Sequence, residues 1–100
     1  MLNMSRPPST ESVFRAIAHP TRRAIVLHLA RRSCPAGELA QLFNHSWATL
    51  SRHLHVLTAC GVIMYERRGP RLVYQLVPGG LHEIQRWMTH VPAYVSRSRH

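Results

Sequence analysis

The segment from Ser46 to Gly61, SWATLSRHLHVLTACG, holds the side chains of this 100-residue chain best suited to reading another molecule. As a helix it begins at Ser46, whose hydroxyl can accept from the first free backbone N–H groups. It ends at Gly61, which can take the left-handed C′ conformation. Leu50, Leu54 and Leu57 then fall at i, i+4 and i+7 on one face. The opposite face carries Thr49, Ser51, Arg52 and His55. Small hydroxyls, a forked guanidinium and an imidazole on one rigid face suit the DNA major groove. There Arg can pair with guanine O6 and N7, and Ser or Thr can bond base edges or phosphates. Every surface helix has a polar face, however, so the surroundings must decide between base reading and plain solvation.

The first of those surroundings is charge. Thirteen basic residues stand against Glu11, Glu38, Glu66 and Glu83, a formal net charge of +9, which points to a polyanion as partner. All thirteen are arginines, and their spread along the chain fits a compositional bias better than one dedicated face. No stretch free of the core pattern pairs a basic face with a Trp/Phe/Leu face, as an interfacial membrane helix would. At 45% hydrophobic and 17% charged, the chain reads as one soluble domain. It has no apolar run of membrane-spanning length, and MLNMSRPPST lacks an apolar leader core, so the expected location is the cytoplasm. Cys34 and Cys60 are expected to be reduced thiols.

The elements that position the segment follow in order. Residues 1–10 read as a flexible arm, 11–95 as the folded domain and 96–100 as a basic tail. A short helix is expected from Glu11 to Ala18 with Val13, Phe14 and Ile17 as its apolar stripe. His19-Pro20 opens a second helix to Arg31, which buries Ile25, Val26 and Leu29 and carries Arg22 and Arg23 on its outer parts. After Ser33-Cys34-Pro35, a third helix is expected to point Leu39, Ala40, Leu42 and Phe43 inward. Asn44-His45 is the tight turn into the Ser46 helix, and the pair makes a helix-turn-helix.

Beyond Gly61 the period changes to two. Val62–Arg68 and Arg71–Val77 read as a hairpin around Gly69-Pro70, with Leu72, Tyr74 and Leu76 inward against Arg71, Val73 and Gln75. Its tip gathers Arg67, Arg68 and Arg71, more cation than edge protection requires, and so is expected to meet phosphates. A last helix from Leu81 to about Val95 places Leu81, Ile84, Met88, Val91 and Val95 on one stripe, with Trp87 and Tyr94 beside it and Pro92 able to shorten it. With Val13, Phe14 and Ile17, the residues Leu81, Ile84, Trp87, Met88 and Val91 are the expected contact between two copies of the chain. The fold class is thus mainly α with a small β-hairpin.

The segments HPTRRAIVLHL, GELAQLF, SRHLHVL, CGVI and RRGPRLVYQL resemble, in order and spacing, the ArsR-type winged helix-turn-helix repressors, in particular their non-metal autorepressor branch. The likeness spans about Val13 to Leu76. It implies a homodimer that binds double-stranded DNA at a palindromic operator near its own promoter. Ser46, Trp47, Thr49, Ser51, Arg52, His53 and His55 would read DNA, and Arg67, Arg68 and Arg71 would form the wing. Three departures stand out. His19 replaces the family's usual aspartate cap. Pro35 stands where Ser or Thr would complete a capping box with Glu38. Trp47 is large for the start of a recognition helix, and either stacking on sugar or packing on the wing would suit it.

No cofactor or metal is expected. The third helix lacks the Cys-x-Cys of the family's soft-metal sensors. On the last helix His82, Glu83 and His90 provide no aspartate and no second close pair, whereas a zinc site needs four convergent groups. His53 and His55 lie on different faces, and each reads as a DNA or packing contact. Cys34 and Cys60 could pair only within disulfide reach. The carboxylates are scattered and there is no Gly-rich phosphate loop, so no enzyme is expected. Two alternatives stand beside this reading: a metal- or redox-responsive repressor of the same ArsR type and, from another class, a winged-helix adaptor that meets an acidic protein surface.

Overall fold

The computed structural model describes residues 10–91. The arm up to Ser9, Pro92, Tyr94, Val95 and the tail 96–100 lie outside the described residues. In chain order the elements are α1 (Thr10–Ala16), α2 (Pro20–Arg31), β1 (Cys34–Pro35), α3 (Ala36–Phe43), α4 (Trp47–Ala59), β2 (Ile63–Arg68), β3 (Arg71–Leu76) and α5 (His82–Met88).

The core forms where the apolar stripes meet. Ile25, Leu39, Leu50, Leu54, Leu57, Val62 and Ile63 are fully buried, so α2, α3, α4 and the start of the hairpin close on one another. Each large aliphatic side chain removed from water contributes about 1.5–3 kcal/mol. The three leucines of α4 thus suffice to hold that helix down and leave its other side outward. Val13 lies in the same core, only 4% exposed.

Local chemistry sets the helix ends. At the start of α2, His19 Nδ1 accepts from Thr21 N at 3.1 Å, so an imidazole nitrogen does what a carboxylate cap would do. Pro35 precedes α3 without a side-chain cap, as its lack of a hydroxyl dictates. Ser46 Oγ accepts from Thr49 N at 3.1 Å to open α4. At the other end Gly61, with φ +84°, closes a Schellman turn: Gly61 N donates to Thr58 O and Val62 N to Leu57 O. Between α3 and α4 the chain turns through Asn44 in the left-handed region, φ 50°. Asparagine tolerates that region better than most residues.

Four expectations need correction. The hairpin is not alone, because β1 adds to it in an antiparallel sheet of order β1-β3-β2, pairing Cys34 with Tyr74 and Pro35 with Val73. As the central strand, β3 is flanked on both edges, so Val73 is buried although it was expected outward. Leu42 is 54% exposed and does not point inward. Finally, α1 and α5 are shorter than expected, ending at Ala16 and Met88. Arg22 and Arg23 are also less free than their place on the outer side of α2 suggested. Arg22 Nη1 donates to Ala16 O at 3.1 Å, and Arg23 Nη1 to Ile17 O at 2.9 Å and Ala18 O at 3.0 Å. They satisfy carbonyls that the end of α1 leaves without helical partners.

Candidate nucleic-acid interface

With Leu50, Leu54 and Leu57 inward, α4 exposes Trp47, Ala48, Arg52, His55 and Ala59 along its outer ridge. Ser46 and Thr49 serve the helix start first: Ser46 Oγ, besides accepting from Thr49 N, donates to Thr49 Oγ1 at 3.0 Å. Ser51 is half-buried and faces the hairpin. It lines a cleft of about 420 Å³ with His55 and Thr58 of α4 and Tyr65, Leu72 and Tyr74 of the sheet. A nucleic-acid strand beside α4 would meet hydroxyl and imidazole on one wall and aromatic surface on the other.

The hairpin register assigns the wing residues to faces. Directly paired residues share a face. Ile63, Tyr65 and Arg67 therefore lie with Leu76, Tyr74 and Leu72 on the side of α4, while Glu66, Arg68, Val73 and Arg71 lie on the reverse. Arg67, Arg68 and Arg71 are all exposed around the Gly69-Pro70 turn. Arg68 Nε is 3.4 Å from Glu66 Oε2, a surface pair that tempers one of the three cations. Trp47, about half exposed, borders a groove between the start of α3 and the wing. Pro35, Gly37 and Glu38 line one side of it and Pro70, Arg71 and Leu72 the other.

His53 differs from its neighbours. Its Nδ1 accepts from Arg22 Nε at 3.2 Å, and its ring centre lies 4.5 Å from that of His19 and 6.0 Å from that of His45. It is half-buried against α2, so its place is a packing contact within the chain and it is not on the outer ridge. Burial, followed by the potentials of His19, Arg22, His45 and Arg52, holds its pKa below the ordinary 6.5. A neutral ring is what accepting from a guanidinium requires.

Two residues of this surface escaped the sequence reading. Tyr65 is 52% exposed in the wing-side cleft, its ring 5.3 Å from that of Tyr74. The alternation Ile63, Tyr65, Arg67 was the signal for it. Thr58 lines the same cleft with its hydroxyl donating to Leu54 O and His55 O. Nothing but the fold would have revealed Thr58.

A second exposed surface lies where α1 and α5 meet. The Phe14 and Trp87 rings are 5.9 Å apart and edge-to-face. Trp87 and Met88 are each more than half exposed, and no residue of α5 is buried. Ile17, Val26, Leu27, Leu81 and Ile84 line an adjoining apolar hollow of about 220 Å³. Leu27, 69% exposed, was not among the expected contact residues. Val13 was, yet it is enclosed in the core of its own chain and has no surface to offer.

Among the described residues no group of three His, Cys, Asp or Glu side chains is placed to hold a metal ion. Cys34 and Cys60 are free and buried. Burial and then the Glu38 carboxyl, which accepts from the Cys34 thiol at 3.3 Å, push the Cys34 pKa up to about 11. Burial raises that of Cys60 as well. Both thiols stay protonated and poorly nucleophilic at neutral pH. No helix of the described residues is long and apolar enough to cross a membrane.

A helix-turn-helix whose second helix shows a polar ridge, flanked by an arginine-tipped hairpin, defines a winged helix-turn-helix DNA-binding domain. Residues 17–66 match the helix-turn-helix domain family. Over 77 residues the chain is 38% identical to the transcriptional repressor SdpR of Bacillus subtilis, covering 77% of this chain and 86% of that protein. Over 78 residues it is 41% identical to the HTH-type transcriptional regulator Rv2034 of Mycobacterium tuberculosis, covering 78% and 73% respectively. The homodimeric winged helix-turn-helix domain of Mb0332 from Mycobacterium bovis, a possible ArsR-family regulator, superposes with a TM-score of 0.70. It covers 90% of this chain and 82% of its own at 22% identity, and so bears on the fold alone. The chain belongs to the ArsR-type winged helix-turn-helix transcriptional regulators.

Proposed function

We propose that this chain is a homodimeric, metal-independent repressor of its own promoter, acting in the cytoplasm on a palindromic operator and catalysing no reaction. In this reading α4 lies in the major groove with Arg52 and His55 toward base edges. Ser46, Trp47, Thr49 and Ser51 border the groove and meet sugar and phosphate. Arg67, Arg68 and Arg71 neutralise phosphates beside it. His53 contributes indirectly, by holding Arg22. Phe14, Ile17, Leu81, Ile84, Trp87, Met88 and Val91 join two copies, so that two α4 helices address two half-sites.

The observation that carries this reading is the shared orientation of two features. Ser51 and His55 of α4 share one cleft with Tyr65, Leu72 and Tyr74 of the hairpin, and Trp47 at the start of α4 shares a groove with Pro70 and Arg71 of the wing turn, so helix and wing border one another along a common surface. SdpR, a relative at 38% identity, bears the name of transcriptional repressor, which supports repression as the outcome of binding. The test is a binding titration of purified protein against its own upstream DNA and a scrambled duplex, with and without chelator. Tight, selective, chelator-insensitive binding is expected. Equal affinity for both duplexes would overturn operator recognition, and dependence on metal would overturn the metal-independent reading.

A further inference from the structure

Three hydroxyls that hold nothing within the chain line the cleft of about 420 Å³ between α4 and the hairpin. Those of Ser51, Tyr65 and Tyr74 have no hydrogen-bond partner among the described residues. Thr58 beside them differs, because its hydroxyl is committed to Leu54 O and His55 O. Tyr74 is only 7% exposed, yet its oxygen is not fully enclosed, so the ring is sunk in the core and the hydroxyl opens at the cleft. A phenol buried so deeply ordinarily finds a partner. Tyr65 stands directly opposite Tyr74 in the register, on the face toward α4, with the two rings 5.3 Å apart. Both phenols therefore open into one space, and among the described residues no carboxylate lines it.

A major groove about 12 Å wide fits closely around a helix of 10–12 Å diameter, so a helix seated in it has a phosphate strand on each side. With the hairpin standing beside α4, the strand on that side has to cross the cleft to reach the arginine turn. We propose that the cleft is a seat for one phosphate of the DNA backbone, held by the hydroxyls of Tyr74, Tyr65 and Ser51 donating to its oxygens. This rests on the DNA-reading role of α4 and the wing and adds two uncharged phenols to it.

The chemistry suits a phosphate. Its oxygens only accept, and hydroxyl side chains, Tyr among them, are ordinary donors to the DNA backbone. Burial, and then the neighbouring Tyr65, raise the Tyr74 pKa above its ordinary 10, so this phenol keeps its proton and remains a donor. The core already fixes its ring, so little side-chain freedom is lost when a phosphate arrives. Arg67, the next residue on the same face of β2, is exposed and supplies positive charge toward the turn.

Tyr74→Phe removes the oxygen and leaves the ring, so its melting temperature should stay at or above that of the native protein. Affinity for the protein's own upstream DNA and for a scrambled duplex, each followed across a salt series, then tests the seat. Tyr74→Phe and Tyr65→Phe are each expected to lose roughly tenfold in affinity on both duplexes. The slope of log K against log salt should not change for either, because a neutral donor releases no counterion, whereas Arg68→Ala should lower it by about 0.9. Native affinity for both Phe variants beside a lowered slope for Arg68→Ala overturns the phosphate seat alone. A loss confined to the upstream DNA would make the phenols base contacts and overturn it too. So would a drop in the melting temperature of Tyr74→Phe, which would place the partner of its hydroxyl inside the chain. An unchanged slope for Arg68→Ala, or no binding by the native protein, overturns the DNA-reading role beneath it.

Discussion

Two arginines that look alike in the sequence stand in different settings, and this sets their expected roles. Arg52 projects from the outer ridge of α4, where a fork can pair with guanine, whereas Arg68 lies at the wing turn beside Glu66. Arg52→Ala should cost about 1–3 kcal/mol on the operator and little on scrambled DNA. Arg68→Ala should weaken both alike. Equal losses on the two duplexes for Arg52→Ala, measured by anisotropy titration, would remove it from base reading. His53 gives a different kind of prediction, on stability. With its folded pKa below 6.5, the unfolded chain takes up the proton first as pH falls. Above about pH 6.5 the ring is neutral in both states and adds no pH dependence. Below it the unfolded state binds more protons, so stability drops as pH falls toward the folded value. His53→Gln keeps an acceptor for Arg22 and removes the titration. Its melting temperature should therefore fall less steeply than the native protein's between neutral pH and about pH 5. Parallel curves would mean another group governs the acid limb.

At the level of elements, glycines at two junctions make opposite predictions. A Cβ on Gly80 would come within 2.9 Å of Gly61 O and Val62 O and 3.0 Å of Val77 O, all backbone atoms that cannot swing aside. The turn ending α4 and the turn leaving β3 pass each other there, so Gly80→Ala should destabilise by roughly 1–3 kcal/mol. Gly37 in α3 has nothing within 4 Å of where a Cβ would stand, and Gly37→Ala should stabilise by roughly 0.4–1 kcal/mol. Urea melts of the two variants should move to opposite sides of the native midpoint. The close approach at Gly80 was invisible in the sequence, where Pro78-Gly79-Gly80 reads only as a turn. By contrast α2 and α4 were legible almost to the residue, because apolar periodicity and end signals agree: His19-Pro20 for one, Ser46 and Gly61 for the other. Strand β1 was not, because two residues ending in proline carry no period and pair only because β3 lies beside them. The same reason hid the burial of Val73. The inward turn of His53 was hidden too, since its partners Arg22 and His19 lie about thirty positions away.

For the whole molecule, the unmatched feature is the apolar face at α1 and α5. Among the described residues Phe14, Ile17, Trp87 and Met88 continue into the hollow bordered by Leu27, and this apolar surface is the contact proposed between two copies. Its consequence for function is geometric. One α4 with one wing contacts a single half-site, whereas a rigid pair contacts two half-sites about 34–36 Å apart. Joining two weak contacts raises affinity by about 10²–10⁴-fold when the spacing fits. Met88 and Leu27 contribute little to their own chain's core, being 56% and 69% exposed, so charges placed there should spare the fold. Met88→Glu and Leu27→Glu are therefore expected to sediment as folded monomers under conditions where the native chain is a dimer. They should keep near-native affinity for an isolated half-site and lose most of the gain on the full palindrome. Were Met88→Glu to remain dimeric, the copies would meet elsewhere. Were it monomeric yet undiminished on the palindrome, each half-site would be read independently and the coupling between the two α4 helices would be absent.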